Sequence, residues 1–137
     1  MADVTPALEL TGIDMHYGYV RALDQIDFHV ANGEVVALAR SATRVSGEPN
    51  GVLLLDEPTA ALGYEQTKQV EALIVRMASQ GIACVLVTHN LPLAMEVSTR
   101  IVVLNRGRKY ADVPTAKTDN DQLVGWITGA RPSMFAA

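Results

Sequence analysis

Two adjacent carboxylates, Asp56 and Glu57, close an unbroken apolar run in "GVLLLDEPTAALG" (51–63). A buried strand that finishes on charge puts that charge where α/β sheets bind ligands, outside the carboxyl ends of their strands. One carboxylate placed there can order a divalent cation while its neighbour polarises a water for attack. The same pair also suits a plain solvated strand end, and by itself it does not choose between the two. His89 follows a second apolar run, "IACVLVT" (82–88). A lone histidine in that place serves equally well as a surface or capping residue.

The elements that must position these groups follow from apolar spacing. "ALELTGIDMHYG" and "VRALDQIDFHV" alternate loosely and predict two antiparallel, half-exposed strands. "VVALA" follows the turn signal "NG" and predicts a buried strand, and "VLLL" predicts another that stops at the acidic pair. "RSATRVSGEPNG" is polar and loop-forming in its second half, with room for a short helix over "ARSATRV". Val70, Leu73, Ile74 and Met77 share one face of a helix over 65–80, and Gly81 lies where a C′ glycine would end it. "IACVLVT" predicts a third buried strand, "PLAMEV" a short helix and "RIVVLNRGRKYADV" a hairpin turned at "NRG". "TDNDQLVGWITG" predicts a closing helix with Leu123, Val124 and Ile127 on its apolar face. Strand, helix and strand joined by short links make a βαβ unit, whose crossover is right-handed in almost all sheets. The fold class expected is α/β, with a parallel central sheet and an antiparallel N-terminal β flank. Asp56 and Glu57 are expected at the end of a central strand, with His89 at the same sheet edge.

Bulk properties narrow the classes. A chain of 137 residues suffices for one domain, and its net charge of −4 is spread without a basic block, so nucleic acid is not an expected partner. No apolar run approaches the roughly 18 residues of a membrane span. The acid in "MADVTPALEL" stands where a signal peptide carries positive charge. Cys84 is the single cysteine, which excludes a disulfide framework and suits a small core residue. A cytoplasmic chain is the expectation.

"LLLDEP" has the form of a Walker B motif, and its continuation extends the match. "LLLDEPTAALG", a helix, a buried strand and then "VTHN" resemble, in order and spacing, the nucleotide-binding subunit of ATP-binding cassette (ABC) transporters. "MHYGYVRALDQIDFHVANGEVVAL" is similar to the opening of that family, so the resemblance covers nearly the whole chain. Most members carry Asp after "AL" in the D-loop, where Gly63 stands here. This variant, and the ending "DQLVGWITGA", resemble the single-cassette members of the monosaccharide-importing branch. The resemblance implies ATP and Mg²⁺ as ligands, with Tyr17 stacking on adenine, although Tyr19 close by leaves an ordinary strand-end tyrosine as the alternative. It further implies that Asp56 holds Mg²⁺, that Glu57 is the general base, and that His89 links the γ-phosphate to that base. Ala61, Leu62 and Gly63 would touch a second cassette. Membrane permease subunits would be the other partners, holding the chain at the inner face of the cell membrane.

The match has gaps. A phosphate cradle of the form G-x-x-x-x-G-K-[ST] should follow "GEVVAL", but the chain reads "ARSATRVSGEPN", and no glycine in it precedes a lysine. The Q-loop, an "LSGGQ"-type signature and the helical subdomain are missing as well. "ARSATRV" resembles the segment that follows the signature in intact members, which places a junction near Leu38 and Ala39. The organisation expected is one shortened nucleotide-binding domain over 1–137. Its N-terminal strands occupy 1–38, the junction 39–51, and the half with Walker B, D-loop and switch histidine 52–137. The activity implied is ATP hydrolysis that powers sugar uptake, reduced to little or none by the missing cradle. The alternative is a non-enzymatic remnant that self-associates or binds an intact cassette. Self-association is expected because strands apolar on both faces keep only the 65–80 helix, a short "ARSATRV" turn and the terminal helix as cover.

Overall fold

The computed structural model describes residues 5–39 and 52–135. The chain runs through β1 (Leu8–Tyr17), β2 (Val20–Val30), β3 (Val35–Ala39), β4 (Val52–Asp56), α1 (Tyr64–Ser79), β5 (Ala83–Thr88) and α2 (Leu91–Val97). It continues through β6 (Arg100–Asn105), β7 (Arg108–Pro114), a 3₁₀ turn (Thr115–Lys117) and α3 (Asn120–Thr128). Beyond Ala39 the expected junction, with its short helix over "ARSATRV", lies outside the described residues.

The main sheet has the order β4-β5-β3-β6-β7. β4, β5, β3 and β6 are parallel, and β7 returns antiparallel to β6. A two-residue turn makes that return, with Arg106 at φ 50° and Gly107 at φ 76°, the left-handed pair that a tight hairpin requires. The turn packs hard on β2: a Cβ on Gly107 would sit 2.7 Å from the carbonyl oxygen of Ala22.

Alternation sorts the sheet residues into two faces. Val35, Cys84 and Leu86 pack with Ile74 of α1 and with Leu93 and Val97 of α2. Ala37, Ile101, Val103, Ala111 and Val113 continue that face beneath Ala94 of α2 and beneath Leu123 and Trp126 of α3. The opposite face, with Val36, Ala83, Val85 and Val102, lies against Ile26, Phe28 and Val30 of β2. The molecule is therefore three-layered: helices, mixed sheet and a two-stranded β1-β2 ribbon. The ribbon is cover that the count of available helices omitted.

Two local expectations are corrected. The apolar face of α3 is Leu123, Trp126 and Ile127, whereas Val124 is exposed. Trp126 fits the i, i+3, i+4 spacing, and its outer ring face is closed by the Arg131 guanidinium 4.9 Å from its centroid. β4 is not a central buried strand. It is the edge of the sheet as described, and Leu54 is 44% exposed. Leu53 and Leu55 reach the helix-side core, but the ribbon, which packs on Val85, leaves Leu54 beside it uncovered.

Candidate functional site

The carboxyl ends of the parallel strands bring the singled-out residues to one edge. β3 ends at Ala39 beside Thr88, and β4 ends at Asp56 beside Val87. The chain leaves β4 through Glu57, whose φ of 47° lies in the left-handed region, an uncommon conformation for a residue with a Cβ. Two backbone bonds hold it. Glu57 N–H donates to the Val87 carbonyl at 2.8 Å, and Ala60 N–H donates to the Glu57 carbonyl at 3.1 Å. That bend swings the Glu57 side chain across to β5.

Its carboxylate is met from three directions. Oε1 accepts the His89 backbone N–H at 2.9 Å and lies 2.8 Å from His89 Nδ1. Oε2 accepts from Thr88 Oγ1 at 3.3 Å. The ring contact requires a proton on Nδ1, so in neutral His89 the outward Nε2 is an acceptor. Thr88 is fully buried and its hydroxyl also accepts Asn90 N–H at 2.9 Å, while Asn90 Oδ1 caps α2 through Leu93 N–H at 3.1 Å. The Glu57–His89 pair thus rests on a rigid β5-α2 junction. The Glu57 side chain is 22% exposed and that of His89 is 73% exposed, so the histidine presents the outer surface.

Asp56 is half-buried and keeps its place at the strand end. The described residues contain no group of three potential metal ligands. Glu57 is committed to His89 and Thr88, which leaves Asp56 as a single carboxylate. One carboxylate suits Mg²⁺ only when the remaining ligands are water and the phosphates of a nucleotide. Among the described residues the edge is therefore not a free-standing metal site.

Leu62 and Ala61 are exposed in the turn before α1, with Ala61 at φ 62°. Gly63 is the N-cap of α1 and offers no side-chain cap. The backbone of Tyr17 ends β1 opposite Val20. β2 starts beside the β6-β7 turn, where Asp24 N–H donates to the Gly107 carbonyl, so this end of the ribbon lies toward the carboxyl edge. The side chain of Tyr17, and with it the expected stacking contact, lies outside the described residues. A cleft of about 640 Å³ lined by Pro6, Glu9, His29, Gly33, Glu34 and Thr99 opens at the opposite, amino-terminal edge of the sheet. It contains none of the residues singled out from the sequence.

The fold is the α/β fold of ABC transporter ATP-binding subunits, in partial form. Over 88% of this chain and 98% of the other, the structure superposes on a solved ATP-binding subunit of an ABC transporter with a TM-score of 0.72 at 13% identity. In sequence the chain is 35% identical over 96 residues to the fructose import ATP-binding protein FrcA of Rhizobium meliloti, covering 70% of this chain and 35% of that protein. It is 42% identical over 94 residues to the hemin import ATP-binding protein HmuV of Rhodococcus jostii, covering 69% of this chain and 31% of that protein. The chain thus spans about a third of the length of these relatives. No protein-family model matches it.

Proposed function

We propose that this chain is an internally shortened ATP-binding cassette of the monosaccharide-importing branch, with its hydrolytic edge preserved and its phosphate cradle missing. The observation that carries the reading is the Glu57–His89 contact at the carboxyl edge, on strands whose sequence continues as "DEPT" and "VTHN". In this reading Asp56 would hold the Mg²⁺ carried by ATP, and Glu57 would serve as the base for the attacking water. His89 holds the Glu57 carboxylate in place and turns Nε2 toward the γ-phosphate. Tyr17 stacks on adenine. The sugar branch is supported by the fructose importer among the relatives and by Gly63 in the D-loop, against the hemin importer on the other side.

Grip on a triphosphate needs converging backbone N–H donors and a lysine, and the sequence has no such motif. ATP is expected to bind at about millimolar strength or weaker, close to −4 kcal/mol, with little or no hydrolysis. Calorimetric titration with Mg-ATP tests this. Low-micromolar affinity would overturn the impairment and make Arg40 and Arg44, which lie outside the described residues, the first to replace. An intact family member works with permease subunits and a second cassette at the inner face of the cell membrane. Ala61, Leu62 and Gly63 are the residues that would meet that cassette.

A second reading is favoured by the exposure of Leu54 at 44% and Leu62 at 42%: a non-enzymatic module over the three segments 1–38, 39–51 and 52–137 that self-associates or binds an intact cassette. Mg-ATP titration separates it from an ATPase, and sedimentation analysis shows whether it self-associates.

A further inference from the structure

Among the described residues the main sheet has two outer edges, and they are protected unequally. β7 carries Arg108, Lys109 and Pro114, and the C-terminal tail lies along it, with Met134 N–H donating to the Tyr110 carbonyl at 2.8 Å. Charge, proline and a covering segment are the usual protections of an exposed edge. The β1 strand of the ribbon is broken by register shifts between Leu10 and His16, which also discourages further pairing. β4, "VLLLD", has among the described residues only Asp56 at its end. The amino-terminal cleft offers a ligand little, because Glu34 is already held by Arg100 at 2.8 Å and by the Ala31 N–H at 2.9 Å.

Backbone alternation decides what β4 presents outward. Glu57 N–H points to the Val87 carbonyl, so the odd residues Leu53 and Leu55 also bond toward β5, in register with Cys84 and Leu86. The N–H and C=O groups of Val52, Leu54 and Asp56 then point away from β5, to the side where no other described strand pairs with them. Their side chains share the ribbon face, on which Leu54 is 44% exposed.

We propose that a second copy of this chain docks on β4, edge to edge and antiparallel, about a two-fold axis through Leu54. This rests on the self-association reading and names its surface. The strand is self-complementary in that register. Leu54 meets Leu54 of the second copy as a hydrogen-bonded pair, and each Val52 faces an Asp56 with its outward groups also paired. The two leucine side chains meet on the same face and remove each other from water, while α1 of each copy stays on the other face. The two Asp56 residues stand four positions apart, about 14 Å, beyond the screening length of about 8 Å at physiological salt. No like charges oppose one another. An isologous contact of this kind closes as a dimer.

The test is cross-linking by position. A hydrogen-bonded antiparallel pair holds its Cα atoms about 5.5 Å apart, within disulfide range, and the native Cys84 is fully buried. Leu54→Cys should oxidise to a covalent dimer, whereas Val52→Cys and Leu62→Cys should stay uncoupled. In sedimentation equilibrium, Leu54→Lys places like charges opposite one another and should weaken the dimer at least about tenfold. Its circular dichroism, and its melting at a concentration where the wild type is also monomeric, should be unchanged, since the site is exposed. Self-association that ignores Leu54→Lys, or a covalent dimer from Leu62→Cys instead, overturns the edge while leaving the self-association reading in place. A wild-type monomer at about 100 μM overturns both. Neither outcome bears on Mg-ATP affinity, which is measured separately.

Discussion

Glu57 Oε1 lies 2.8 Å from His89 Nδ1 across 32 residues of sequence, and the contact exists because Glu57 adopts a left-handed backbone. An extended residue at that position would continue the alternation of β4 and carry its side chain to the helix face shared by Leu53 and Leu55. The bend instead delivers the carboxylate to the end of β5, where the His89 N–H and the Thr88 hydroxyl receive it. The strain of one uncommon dihedral, about 1–3 kcal/mol, is offset by charge-assisted hydrogen bonds of comparable size.

That balance predicts an ordering of variants. Glu57→Ala loses the carboxylate and keeps a Cβ in the left-handed region; Glu57→Gly loses the carboxylate and the strain together. Glu57→Gly should therefore be the more stable of the two by about 1 kcal/mol, read from urea midpoints at equal m-values. Equal midpoints would mean that the bend relaxes once the side chain is gone.

Gly63 caps α1 with φ −75° and ψ 175° and without a side-chain acceptor. That backbone suits any residue. A Cβ there would meet only Gln66 Oε1, at 2.8 Å, the free end of a side chain that can move. Gly63→Asp should stabilise the chain by about 0.5–1 kcal/mol through capping and the helix dipole. Thermal melting checks it, and a lower Tm would show that the glycine is needed for the loop to close.

Cys84 is fully buried in β5, and burial pushes its thiol pKa up. Native protein should react with a thiol-specific disulfide reagent only as fast as it unfolds, and the reaction should complete at once in denaturant. The sign for stability follows from linkage. The unfolded thiol ionises near its ordinary value of about 8.5, while the folded one resists. Its contribution is fully present below that value and is lost as pH rises above it. Unfolding midpoints between pH 7 and pH 10 in Cys84→Ala and in the wild type isolate the term: the wild type should fall more steeply.

Local spacing in the sequence determined the elements around the site and their order. The helix ended by Gly81, the hairpin turned at Arg106 and Gly107, and the strands that finish at Asp56 and Thr88 are all written in short-range periodicity and turn residues. So is the placement of Asp56 and Glu57 at a carboxyl strand end, because an apolar run cut short by charge has one place in a parallel sheet. The buried side of α3 was legible too, since Trp126 and Ile127 stand three and four positions from Leu123 while Val124 is its immediate neighbour and faces elsewhere, as the packing on β6 and β7 shows. Apolar composition could not tell that β4 lies at an edge of the described sheet, because "VLLL" reads alike whether one neighbour or two pair with it. The ribbon is likewise invisible as cover until β2 is seen lying on Val36, Val85 and Val102. Strand order, layer assignment and the swing of Glu57 onto His89 depend on contacts between residues far apart in the chain, and only the tertiary structure decides those.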